Sequence, residues 1–237
     1  MIVIKKLLLL LLFLSGIAVL LFMASRSEDK QIMGTLINRV ETDQKVVALT
    51  FDDGPAPGYT QELLDILETH DIKATFYLVG NEIERHEEET NAILTAGHEI
   101  GNHSWTHQRM VFKTQQFVAN EIESTDKVIH EAGYTGEIYF RPPYGKKLIT
   151  LPFYLYRNNR TSIIWDVAPE SDLGATATVS ELVEYTLTSA KPGSIILLHV
   201  MHPSRKNTML AVPEIITGLR AEGYEFVTVS ELLKENQ

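Results

Sequence analysis

A chain of 237 residues with 44% hydrophobic content can bury one substantial core, or at most two small ones. Its net charge of −10 argues against a nucleic-acid partner, which would leave a basic patch on the surface. The absence of cysteine excludes disulfides, thiolate zinc sites and cysteine nucleophiles, so any metal must be held by histidine and carboxylate.

The N-terminus departs from globular composition. Lys5-Lys6 precede an uncharged stretch from Leu7 to Ser25 that opens with six consecutive leucines, long enough to span a bilayer as a helix. Phe22-Met23-Ala24-Ser25 offers a poor cleavage site, so residues 1–25 are expected to be an uncleaved signal anchor, with a cleaved and secreted form as the alternative. Lys5 and Lys6 place the N-terminus in the cytoplasm and the rest of the chain outside it, in the cell envelope. Residues 26–44 are polar and mixed in charge and read as a tether.

From Lys45 the pattern alternates. Short β-branched or aromatic runs predict strands at Val46–Phe51, Ala74–Val79, Glu99–Asn102, Ile138–Phe140, Ser162–Trp165, Ser194–Leu198 and Glu225–Val229. Helical spacing of apolar residues fills Tyr59–His70, Thr114–Ala132 and Thr208–Glu222, with Thr114 and Ser180 as expected N-caps and Gly133 and Gly223 as helix ends. Alternating strands and helices imply βαβ units and a parallel sheet, in an open doubly wound or a barrel arrangement. In either architecture function gathers at the C-terminal ends of the strands. The polar clusters fall there: Asp52-Asp53 follow the first predicted strand, His103 the third, Arg141 the fourth, Asp166 the fifth and His199 the sixth.

Thr50-Phe51-Asp52-Asp53-Gly54-Pro55 places two adjacent carboxylates at a strand exit, where successive side chains diverge, so one acid can bind a metal while the other takes a proton. His103-Ser104-Trp105-Thr106-His107 supplies two imidazoles four residues apart, which on a helical turn or in a tight loop can reach one ion. With one Asp they form a two-His, one-carboxylate set that leaves coordination positions open, as a catalytic site requires. Arg141-Pro142-Pro143-Tyr144-Gly145 is stiffened by two prolines and can hold a guanidinium against a carboxylate. His199 ends the buried-strand run Ile195–Leu198 and is placed to act as a general acid. His70, His86, His98, His130 and His202 lack such a setting and are assigned to the surface or to supporting positions.

Together these four segments, in this order, resemble the NodB-like polysaccharide deacetylases, carbohydrate esterase family four. The resemblance covers residues 45–233. It implies a distorted (β/α) barrel of about seven βα units and metal-dependent removal of acetyl groups from N-acetylglucosamine-containing polysaccharide or oligosaccharide. It further implies that Asp53, His103 and His107 bind a divalent metal, usually zinc in this family. Asp52 would be the general base, Arg141 its partner, the Tyr144 N–H an oxyanion donor and His199 the acid. Leu197 would line the acetyl pocket, with Trp165 and Glu170 also on the substrate side.

One segment departs from the family pattern. Where the family has Trp-x-x-Asp-x-x-Asp-Trp, this chain reads Trp165-Asp166-Val167-Ala168-Pro169-Glu170-Ser171-Asp172-Leu173. Asp166, Glu170 and Asp172 are therefore alternatives for the acid that pairs with His199. An O-acetyl ester deacetylase with the same metal site and a catalytically silent glycan-binding protein are the competing functional readings. The chain is read as a monomer whose partners are its glycan and, through the N-terminal helix, the membrane.

Overall fold

The computed structural model describes residues 2–174 and 176–236. Helix α1 (Ile2–Arg26) is followed by β1 (Leu36–Ile37), β2 (Val46–Asp52), α2 (Tyr59–Thr69), β3 (Thr75–Leu78), α3 (Gly80–Arg85), α4 (Glu87–Thr95) and β4 (Glu99–Asn102). Then come α5 (Gln115–Glu131), α6 (Thr150–Arg157), β5 (Ser162–Ile163), α7 (Pro169–Leu173), α8 (Val179–Ser189), β6 (Ile195–Leu198), α9 (Lys206–Ala221), β7 (Glu225–Val227) and α10 (Val229–Leu232).

The central strands run β4-β3-β2-β6, all parallel, and β7 pairs with the first three residues of β2. Single parallel bridges continue the sheet from Asn102 to Phe140, from Phe140 to Ser162, and from Val167 back to Ile196. The sheet thereby closes on itself as a distorted barrel, the architecture expected. All seven segments predicted as strands take part, although Ile138–Phe140 contributes only Phe140 to the pairing.

Alternation along the strands sorts two cores. Val47, Leu49 and Phe51 of β2, with Ile196 and Leu198 of β6, face the surrounding helices and join Leu63, Leu67, Val212 and Ile216. Val46 and Ala48 of β2, with Ile195 and Leu197 of β6, face the barrel interior beside Tyr77, Tyr139 and Trp165. Because side chains alternate with period two, the interior face of β2 continues to Thr50 and Asp52, and that of β6 continues to His199. The barrel's own register thus delivers a carboxylate and an imidazole to one mouth.

Several local expectations are corrected. Residues 26–44 are not all tether: Leu36–Ile37 pair with Ser162–Ile163, and Val40 is buried and donates its N–H to the Gly193 carbonyl at 2.9 Å. Thr114 caps α5 by accepting from the Phe117 N–H. Helix α8, however, is capped by Thr178, which forms a reciprocal box with Glu181, two residues ahead of the expected Ser180. Gly133 and Gly223 follow α5 and α9 at positive φ, as helix-terminating glycines do. His98 is neither a surface residue nor near the mouth. It is buried, and its Nδ1 accepts the Ala74 N–H at 3.2 Å.

Candidate active site

Asp52 is the last residue of β2 and is buried; Asp53 follows it with φ 78, a left-handed conformation that turns its side chain off the line of the strand. The two acids consequently face different partners. Arg141, fully buried, donates from Nη1 to Asp52 Oδ1 at 2.7 Å and to Thr50 Oγ1 at 2.8 Å. Its Nη2 donates to the Ile164 carbonyl, and its guanidinium carbon lies 3.9 Å from the centre of the Tyr77 ring. A buried arginine gripped in this way holds the Asp52 carboxylate in one orientation, with Oδ2 turned towards His103 Nε2 at 3.5 Å.

The His103–His107 segment is a tight loop. Ser104 and His107 both have positive φ, and the Ser104 hydroxyl accepts the His107 N–H at 3.1 Å. Buried Asn102 braces it, bonding α5 through Ile122 and Asp126 and accepting the Ser104 N–H. Glu121 of α5 takes both the N–H and the hydroxyl of Thr106 at 2.8 Å. His103 Nδ1 lies 2.8 Å from the Arg141 carbonyl, so that nitrogen carries the proton and Nε2 offers its lone pair inward. Burial, reinforced by neighbouring His107, lowers the His103 pKa to about 4 despite the nearby Asp52 and Asp53, which keeps the ring a neutral donor at pH 7.

Asp53, His103 and His107 bring one donor atom each to within 4.8 Å of one another. Asp53 Oδ1 is buried and makes no hydrogen bond, although His107 Nε2 lies only 3.0 Å away and His103 Nε2 3.6 Å. Burial would raise the Asp53 pKa, but His107, His103 and His199 outweigh it and hold the carboxyl well below its usual range. An unsatisfied carboxylate oxygen facing two imidazole nitrogens fits a divalent cation, and the nitrogen and oxygen donors suit zinc and its neighbours.

His199 stands across the cleft, its Nε2 3.9 Å from Asp53 Oδ2. Glu170 of α7 is buried behind it, with Oε2 3.0 Å from His199 Nδ1 and Oε1 accepting the His199 N–H at 2.9 Å. Burial works against the imidazolium, yet the Glu170 contact outweighs it and the His199 pKa is raised. Of the three alternative acids, Glu170 is thus the partner of His199 and stands behind it rather than on the substrate side. Asp166 accepts from the Ser194 hydroxyl and the Ile195 N–H, fastening β6. Asp172 is bonded by the Tyr185 hydroxyl away from the cleft.

Asp52, Asp53, His103, His107, Tyr144, Trp165, Leu197 and His199 line one cleft of about 270 Å³, with Ser171 and Arg205. It adjoins a larger groove of about 630 Å³ that shares Asp52, Asp53, His107, His199 and Arg205 and extends to Tyr59, Asn81 and Met201. The Tyr144 ring is half exposed and packs against His107 at a 50° tilt, with centroids 4.7 Å apart; Trp165 packs beside Gly145. Sequence reasoning quotes Thr50 within the first motif without giving it a role, and it misses Glu121 and Arg205. The interior-face alternation of β2 signals Thr50, whereas Glu121 and Arg205 sit in no recognisable motif.

A family model for polysaccharide deacetylases matches residues 39–157. The chain belongs to that family. Among its relatives is a peptidoglycan-N-acetylglucosamine deacetylase of Bacillus cereus, 33% identical over 195 residues, which cover 82% of this chain and 91% of that protein. A crystal structure of a peptidoglycan N-acetylglucosamine deacetylase superposes with a TM-score of 0.78 at 29% identity, over 83% of this chain and 92% of the other. A family-four pseudoenzyme from Bacillus anthracis superposes with a TM-score of 0.77 at 27% identity, over 86% of this chain and 70% of the other. Polysaccharide deacetylases that keep this fold therefore include an inactive member, and activity must be argued from the site.

Proposed function

We propose that this polysaccharide deacetylase is a zinc-dependent N-deacetylase of N-acetylglucosamine units in a cell-envelope glycan, held at the membrane by α1. The observation that carries the reading is the complete constellation on one rim. Asp53, His103 and His107 converge, Asp52 is held beside them by Arg141, and His199 faces them with Glu170 at its back. The peptidoglycan substrate of the Bacillus cereus relative supports the substrate class.

Asp53, His103 and His107 would hold a divalent ion, which when bound would make a water nucleophilic at neutral pH and polarise an acetamide carbonyl. Asp52, fixed by Arg141 with one oxygen free, accepts the proton of the attacking water. The Tyr144 N–H donates to the developing oxyanion, a contribution of roughly 3 kcal/mol for donors of this kind. Leu197, at the floor of the cleft, receives the acetyl methyl, and Trp165 walls it. His199, kept protonated by Glu170, gives its proton to the sugar nitrogen, and acetate and a free amine leave. An amine departs only when protonated. The close Glu170–His199 pair therefore favours an amide substrate over an ester, whose alkoxide has less need of an acid.

The test is acetate release by the full-length, zinc-loaded protein from N-acetylglucosamine oligomers and from an O-acetylated xylo-oligomer. Faster release from the amide substrate, abolished by chelation and restored by zinc, is expected. Release from the ester alone would replace the reading with that of an esterase. Glycan binding without release from either would replace it with that of a binding protein.

A further inference from the structure

The end of α1 is fastened to the rim of the cleft. From Leu8 to Ala24 the helix is exposed apart from partly covered Leu21, whereas Ser25 is only 6% exposed. The fastening is Lys147, itself buried. Its N–H donates to the Ser25 carbonyl at 3.3 Å, and its ammonium donates to the carbonyls of Ser27 and Gly145. Gly145 adjoins Tyr144, whose ring packs against His107 of the candidate metal site. Contacts and chain neighbours thus run from Ser25 through Lys147, Gly145 and Tyr144 to His107, with no free linker between helix and site.

The surface around this fastening carries both signs of charge: Arg26, Lys146 and Arg109, with Glu28 and with exposed Asp29, which accepts from the Ser27 hydroxyl. Arg26 follows Ser25 and Lys146 precedes Lys147, so the Ser25–Lys147 bond brings these two basic residues together at the rim; burial, Arg26 and Arg109 lower the Lys146 pKa. Arg109 also lies over the Tyr144 ring at 5.0 Å. Ile32, Ile149 and Tyr156 are 52%, 53% and 58% exposed, and Gly34 packs against Tyr156, so the segment leaving α1 lies along α6. Basic groups beside exposed aliphatic and aromatic side chains suit a lipid headgroup layer, where cations meet anionic lipid and amphipathic rings sit at the interface.

We propose that this rim is a membrane-facing surface: lipid headgroups contact Arg26, Lys146, Ile149 and Tyr156, and the cleft opens at headgroup level. The inference rests on the reading of α1 as a membrane anchor. Its consequence is a restriction on substrate, since acetylated glycan must be presented at the membrane surface, as lipid-linked or newly emerging chains are.

Because the sequence has no cysteine, single probes can be placed without background. Full-length Ile149→Cys and Lys191→Cys proteins, each carrying an environment-sensitive fluorophore, would be reconstituted in nanodiscs containing phosphatidylglycerol and a headgroup-nitroxide lipid. Lys191 is exposed and precedes β6, at the end of the barrel away from the cleft. Quenching at position 149 is expected to exceed that at 191 by about threefold or more. Equal quenching in protein that enters the discs overturns the membrane-facing rim and leaves the anchor standing. Protein that does not enter the discs overturns the anchor, and the rim with it.

Discussion

The two ends of the barrel use left-handed backbone for different purposes. At the cleft, left-handed φ values fall on residues with side chains: Asp53 at 78, Ser104 at 67, His107 at 55 and Tyr144 at 58. At the far end they fall on Gly97, Gly193 and Gly223, each two residues ahead of a strand, and on Asp71 and Asn159 in the α2–β3 and α6–β5 connections, none of which carries a catalytic group. A Cβ on Gly193 would lie 1.8 Å from the Val40 carbonyl oxygen, so glycine there is a packing requirement. Buried carboxylates at the two ends differ as well. The cleft leaves Asp53 Oδ1 and Arg141 Nε without hydrogen bonds. At the far end Glu99 accepts from the Thr75 hydroxyl and from both the N–H and hydroxyl of Ser230. At the far end Glu99 is satisfied by its neighbours, whereas Asp53 at the cleft combines a left-handed backbone with an unpaired carboxylate oxygen that a bound cation would complete.

That contrast can be broken most forcefully at Asp53. Asp53→Gly removes a metal donor and relieves the backbone at once. Acetate release should fall by on the order of a thousandfold with loss of bound zinc. The melting temperature of the metal-free protein should stay level or rise; a clear fall in stability would show that Asp53 is structural. Glu99→Ala is the reciprocal case. Leaving its buried donors unpaired should cost about 3 kcal/mol in urea denaturation, with turnover per folded molecule unchanged.

Within the cleft, Glu170→Gln should slow amide hydrolysis by about tenfold to a hundredfold at neutral pH and affect ester hydrolysis less. Glu170 raises the His199 pKa, so the imidazolium needed as acid survives above the ordinary histidine range and is lost as pH rises through the folded-state value. The alkaline limb of the rate profile should therefore move to lower pH in the variant. An unmoved limb would remove Glu170 from that role.

The smallest effect belongs to the far end. Burial, with Lys73 adding to it, lowers the His98 pKa to about 4, so between there and the unfolded value the unfolded chain binds more protons and stability falls as pH falls. His98 should contribute a loss of about 1 kcal/mol between pH 7 and 5.5. In His98→Asn that part of the slope should disappear, with activity at neutral pH retained.

The contrast also explains what could be read in advance. The cleft residues come from short contiguous segments at strand exits, so Asp52-Asp53, His103 to His107, Arg141 and His199 were legible from residue types and spacing. Local pattern leaves Glu170 among three acids, because the choice depends on α7 packing against β6, a contact that no short motif encodes. The β1 pairing was missed because two residues in a polar segment carry no periodicity. The α8 cap is misread as Ser180 although the signal is there: Thr178 stands three residues ahead of Glu181, the capping-box spacing. His98 was misassigned because a single imidazole ahead of a strand gives no sign of whether its ring turns inward.

The division of labour between the two adjacent acids is tested most directly by measuring zinc content and acetate release together in the full-length protein and in Asp52→Asn. Arg141 can still donate to the amide oxygen, so the variant should keep its zinc while turnover on an N-acetylglucosamine oligomer falls by on the order of a hundredfold or more. Undiminished turnover in zinc-loaded Asp52→Asn would contradict the assignment of Asp52 as the base.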